Sequence, residues 1–134
     1  VGQDSFFSWQ LFTCAKRIRS VETVAHIYYA MVQNSTVNSV TEKYFQRSLL
    51  QEQVQRDWLA ARGLLDGYMK IRFVGFFRDW YLKKLGQAKP GKEEACAQVL
   101  WQIFQLYASE YDGKDEQINA FVQQMQTKNG LTYH

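Results

Sequence analysis

Apolar residues recur at helical spacing along almost the whole of this 134-residue chain. The stretches that carry them are rich in Gln, Ala, Leu, Glu and Lys, which favour helix over strand. The pattern predicts helices near 5–33, 40–62, 64–85, 92–111 and 115–127. Asp4 or Ser5 can cap the first, and Phe6, Phe7, Trp9, Leu11 and Phe12 crowd its first turns. Val21, Val24, Ala25, Tyr28, Met31 and Val32 then share one face. That spacing fits either one helix or two with a joint near Ser20, and Asn34-Ser35-Thr36 reads as a stop. Ser39 followed by Glu42 is a capping-box pattern. Tyr44, Phe45, Leu49, Val54, Trp58 and Ala61 form the apolar side of the helix it opens, with Gly63 and Gly67 as candidate breaks.

The stretch from Leu64 to Leu85 is apolar around most of its circumference, a pattern of helices buried on several sides. Lys70, Arg72, Arg78, Lys83 and Lys84 are nevertheless threaded through it, and Gly86 is placed to end it. Lys89-Pro90-Gly91 is a turn. Beyond it Cys96, Val99, Leu100, Ile103, Tyr107 and Tyr111 form a clean stripe with Glu93 and Glu94 at the end that favours acid. Gly113 closes that helix, and Ile118, Phe121, Val122 and Met125 face inward on the last one. The fold class expected is all-α: a single-domain bundle of about five helices, extended by packing between subunits.

Charge adds an asymmetry. Residues 1–92 carry a net charge of +7 and residues 93–134 a net of −4, within a total of +3. Between Lys70 and Lys92 seven basic residues face one acid, Asp79. A basic body with an acidic end points to polyanion contact or head-to-tail association. No run of about 18 apolar residues is present, so no membrane span is expected. The first residues have no basic-then-apolar leader pattern. Cys14 and Cys96 are expected to be buried thiols, with a bridge between them as the alternative.

Candidate chemistry is sparse. His26 has only Glu22 at helical spacing, which reads as a surface pair, and His134 is the last residue. Two Cys and one internal His do not match zinc spacing. No Glu-x-x-His pair or EF-hand loop is present. Gly86-Gln-Ala-Lys-Pro-Gly91-Lys92-Glu93 has the glycines and lysine of a phosphate loop. It ends in Glu where a hydroxyl should hold Mg²⁺, and it follows a helix rather than a strand. No acid, base or metal set emerges, so neither an enzyme nor a cofactor is expected.

What remains is basic residues beside aromatic ones. Aromatics make up 16% of the chain, more than a single small core needs to cover, and surplus apolar surface marks an interface. The expectation is a self-assembling structural protein in which the 64–85 stretch, including Phe73 and Phe77, lies at or near a subunit interface. Lys16, Arg17, Arg19, Lys70, Arg72, Arg78, Lys83 and Lys84 would be its contacts to nucleic-acid phosphates. The alternative is an adaptor or inhibitor whose basic-aromatic face meets an acidic protein.

A small all-helical chain with basic patches, surplus aromatic surface and no active site resembles the major coat proteins of filamentous archaeal viruses. The resemblance lies in size and helix content over the whole chain, not in a motif, and carries over no residue role. It implies polymerisation with itself or a paralogous subunit, backbone contact with double-stranded DNA without base specificity, and a place in the virion; otherwise the expected location is cytoplasmic. The many Gln residues, such as Gln51, Gln53, Gln55, Gln123, Gln124 and Gln126, depart from a heat-loving composition.

Overall fold

The computed structural model describes residues 3–25 and 40–130, and every regular element among them is a helix. They are α1 (Gln3–Cys14), α2 (Glu42–Ala61), α3 (65–85), α4 (Glu93–Tyr107) and α5 (Glu116–Lys128). The predicted fold class holds, and four of the five helices fall close to their expected bounds.

The first helix is the exception. The expected span was 5–33, but the helix ends at Cys14, and residues 15–25 are irregular. Short helices depend on packing an apolar face. Phe6 meets Trp58 edge-on at 5.6 Å and Trp9 meets Tyr68 at 5.5 Å. From Gln10 to Ala25 every residue is exposed. The helix ends soon after its packing ends, and β-branched Ile18, Val21, Thr23 and Val24 add little propensity to prolong it. Val21 and Val24 therefore do not lie on a buried helical face, and Cys14 is exposed, contrary to expectation. Tyr28, Met31, Val32, His26, Ser39 and the Asn34 stop lie outside the described residues. α2 starts from Thr41 in extended conformation, with no side-chain cap.

α2 packs most extensively on α4, and α3 lies against α2, α4 and α5. The stripe α2 presents is not the predicted one. Tyr44 and Phe45 point inward as expected and Leu49 and Trp58 are half-buried, but Val54 and Ala61 are exposed, and the rest of the buried face is Ser48, Glu52, Gln55 and Leu59. Gly63, in the left-handed region at φ 68°, ends the turn after α2. Gly67 interrupts nothing and lies inside α3.

α3 alternates between α-helical and wider π-helical winding, the π segments being Met69–Phe73 and Phe77–Leu82. Its buried residues include Met69, Phe73, Phe77 and Tyr81, each four after the last. At 3.6 residues per turn every fourth residue drifts about 40°, so three steps would carry Tyr81 about 120° round from Met69. The wider turns offset that drift and keep the series on one face. Phe73 is 2% exposed and Phe77 1%, so both belong to the core of one subunit rather than to an interface between subunits. Phe73 touches Phe104 and Tyr107, while Phe77 touches Phe104 and Phe121. Gly86 ends the helix as its C-cap, at φ −63° rather than in the left-handed region.

α4 supplies the largest share of the core, with Cys96, Leu100, Ile103, Phe104 and Tyr107 among its buried residues, and continues as a 3-10 turn over Ala108–Glu110. A loop with Gly113 at φ 73° leads to α5. There the Asp115 carboxylate accepts from the Ile118 amide at 3.0 Å and caps the helix. No helix among the described residues is long and apolar enough to cross a membrane.

Candidate functional site

The predicted phosphate contacts occupy two places. Lys16, Arg17 and Arg19 stand on the exposed irregular stretch after α1. The other five lie on α3 and differ in how far their charge is already answered. Asp79 was the one offsetting acid expected between Lys70 and Lys92, but two acids from outside that stretch join it. Lys70 pairs with Asp66 at 2.8 Å across one exposed turn. Arg78 donates through Nε and Nη2 to the two oxygens of Asp79, at 2.7 and 2.9 Å, and through Nη1 to Asp115 at 2.9 Å. The Asp79 and Asp115 bonds hold its guanidinium above its ordinary value. Arg78 is thus engaged in tying α3 to the cap of α5. Lys83 is exposed and shares a shallow hollow with Arg78 and Gln117. The Lys84 ammonium lies 5.0 Å from the centre of the Trp80 ring, and burial and Lys83 pull it below its ordinary value. Arg72 is exposed, 5.5 Å over the Phe76 ring.

Arg72 also borders the feature that the sequence did not announce. A cavity of about 420 Å³ opens between α1, α2 and α3, lined by Trp9, Gln51, Glu52, Tyr68, Arg72 and Trp80 among others. Glu52, 3% exposed, reaches the core at its floor. Its Oε1 accepts from the Tyr81 hydroxyl at 2.7 Å. Its Oε2 accepts from the Tyr107 hydroxyl at 2.5 Å and, at 3.3 Å, from Gln55 Nε2. One carboxyl thereby joins α2, α3 and α4. Burial pushes it above the ordinary carboxylate value, and the Tyr107 and Tyr81 hydroxyls pull only part of the way back. Burial, and then the Glu52 charge, push the phenols of Tyr68, Tyr81 and Tyr107 up as well. Among the described residues Glu52 has no ion-pair partner. Nor do any three His, Cys, Asp or Glu side chains among them converge as metal ligands would. The arrangement can hold or release one proton.

Two more polar groups complete the cavity's surroundings. Trp80 Nε1 donates to the Tyr44 hydroxyl at 2.9 Å. The side-chain nitrogen of Gln51, which lines the cavity, is buried without a partner. The signal for this site was present in the chain: Phe45, Ser48, Glu52, Gln55 and Leu59 follow a 3-4-3-4 spacing. Three of the five are polar, so a search for apolar stripes passes over them.

No family model, curated protein or solved structure matches the chain.

Proposed function

We propose that this protein is a non-enzymatic structural subunit that assembles with itself or a similar subunit and contacts nucleic-acid backbone, in the manner of a coat protein. The observation that carries the reading is where apolar surface is left uncovered. Six of the ten large apolar side chains exposed among the described residues fall in the first 25 residues: Phe7, Leu11, Phe12, Ile18, Val21 and Val24, the last 80% exposed. A concentration of exposed large apolar side chains in one segment is a mark of association. It is interleaved with Lys16, Arg17 and Arg19, so an assembly joined through this segment brings three cations to the joint. Their partner is double-stranded DNA, met through its phosphates without base reading. On α3, Arg72, Lys83 and Lys84 add to the basic surface, while Arg78 serves the fold.

Electron microscopy of the purified chain with and without DNA, and DNA binding across a salt series, test the reading. Filaments or regular particles are expected, with affinity falling steeply as salt rises. Replacing Lys16, Arg17 and Arg19 by Gln should reduce the slope of log affinity on log salt by roughly 2–3. Replacing Phe7, Leu11 and Phe12 by Ser should disperse the assembly and leave the circular dichroism of the body intact. A chain that stays monomeric and binds no DNA at low salt sinks the proposal.

A further inference from the structure

Glu52 is the one Asp, Glu, Lys or Arg buried among the described residues, and its immediate neighbours are neutral. Tyr81 comes to it from α3, Tyr107 from α4 and Gln55 from its own helix. The charged and titratable groups that line its cavity or act on its partners are Asp4 on α1, Tyr44 on α2, Tyr68 and Arg72 on α3, and those two tyrosines. Neither nearby cation pairs with it: Arg72 is exposed with its guanidinium over Phe76, and Arg56, one turn along α2, is turned to the Leu106 carbonyl and Glu110. Asp4 brings a second negative charge to the rim.

We propose that Glu52 is a proton-operated latch: carrying its proton it ties α2, α3 and α4 together, and as a bare carboxylate it drives that junction open toward the cavity. A phenol oxygen can accept as well as donate, so the same oxygen–oxygen contacts serve a neutral carboxyl that donates to one tyrosine and accepts from the other. Loss of the proton leaves a negative charge in the core with three neutral donors and no cation, which is costly in a medium of low polarity. The proton leaves to solvent through the cavity. Water that follows it finds a ready donor in the partnerless Gln51 amide.

The direction in which burial moves the carboxyl agrees with this. A carboxyl raised on folding contributes stability that is complete below the ordinary carboxylate range. That contribution is lost as pH rises through the group's own raised value. The bundle is therefore firmest in acid on account of Glu52 and loosens toward alkali.

The test is thermal unfolding of the full chain and of Glu52→Gln from pH 4 to pH 9. The amide keeps the shape and lets one tyrosine donate to it and the other accept from it. Its Tm should stay level where the parent's falls, and should exceed the parent's by about 4 °C or more at pH 9. A difference between the two that does not vary with pH overturns the proposal, as does a parent more stable than the variant at pH 9. Carbon-13 titration of the Glu52 carboxyl in the unaltered chain decides the matter even if the variant does not fold. A midpoint above the ordinary 4.5, with Tyr81 and Tyr107 signals moving in step, is expected. A midpoint at or below 4.5 overturns the proposal.

Discussion

Two carboxyl groups bind α3 to its neighbours, three residues apart along that helix, and their chemistry runs in opposite directions. Glu52 meets Tyr81, and Asp115 meets Arg78. Glu52 has three donors, yet its carboxyl is pushed up. At Asp115 burial also pulls upward, but the Ile118 amide and the Arg78 guanidinium outweigh it and hold the carboxyl below its ordinary value. The number of hydrogen bonds does not decide the direction. What decides it is whether a cation stands among the donors and how far water is shut out.

The contrast can be broken at either end. The largest effect is expected from Glu52→Ala, which strips the acceptor from two buried phenols and an amide and leaves a hole between three helices. A loss of about 3 kcal/mol should appear in urea unfolding at neutral pH. Asp115→Ala removes the α5 cap and should cost about 1 kcal/mol in the same measurement. Asp115→Asn keeps a capping oxygen, so its effect at neutral pH should be smaller still, and its use is to sharpen the comparison. The stability that Asp115 contributes is present above the ordinary carboxylate range and is lost as pH falls through its own depressed value. The Asn variant should therefore lose part of the parent's acid sensitivity and keep its alkaline sensitivity. Glu52→Gln should do the reverse, and melting curves across pH would separate the two.

The same contrast marks where the sequence was readable. α4 and α5 carry stripes of consistently apolar residues, and the residues the spacing predicts from Cys96 to Tyr107 and from Ile118 to Met125 do face inward, with Ala97, Trp101 and Phe104 joining them on α4. The inward face of α2 was only half legible, because Ser48, Glu52 and Gln55 hold core positions in residue types that normally face water. Nothing local to Glu52 announces Tyr81 and Tyr107, which lie 29 and 55 residues away. The reach of the first helix was misjudged for a different reason. Helical spacing from Val21 to Val32 says which residues would share a face, not whether anything lies beneath it. In the described part of that stretch, residues 21–25, nothing does. The charge count along Lys70–Lys92 missed Asp66 and Asp115, which reach Lys70 and Arg78 from outside the window.

The wide turns of α3 have a consequence for how this gene can change length. A π turn encloses one more residue than an α turn over the same loop of hydrogen bonding. Ile71 lies in the first such turn with 87% of its surface exposed. Deleting it lets Met69–Phe73 rewind as an α turn, with the flanking aromatics still in line. Deleting exposed Gln102 from the regular α4 has no such remedy. It turns everything beyond it by about 100° and takes Phe104 and Tyr107 off the core. The Ile71 deletion should melt cooperatively by circular dichroism, and the Gln102 deletion should not. Among the described helices, α3 is then where a codon can be lost without loss of register.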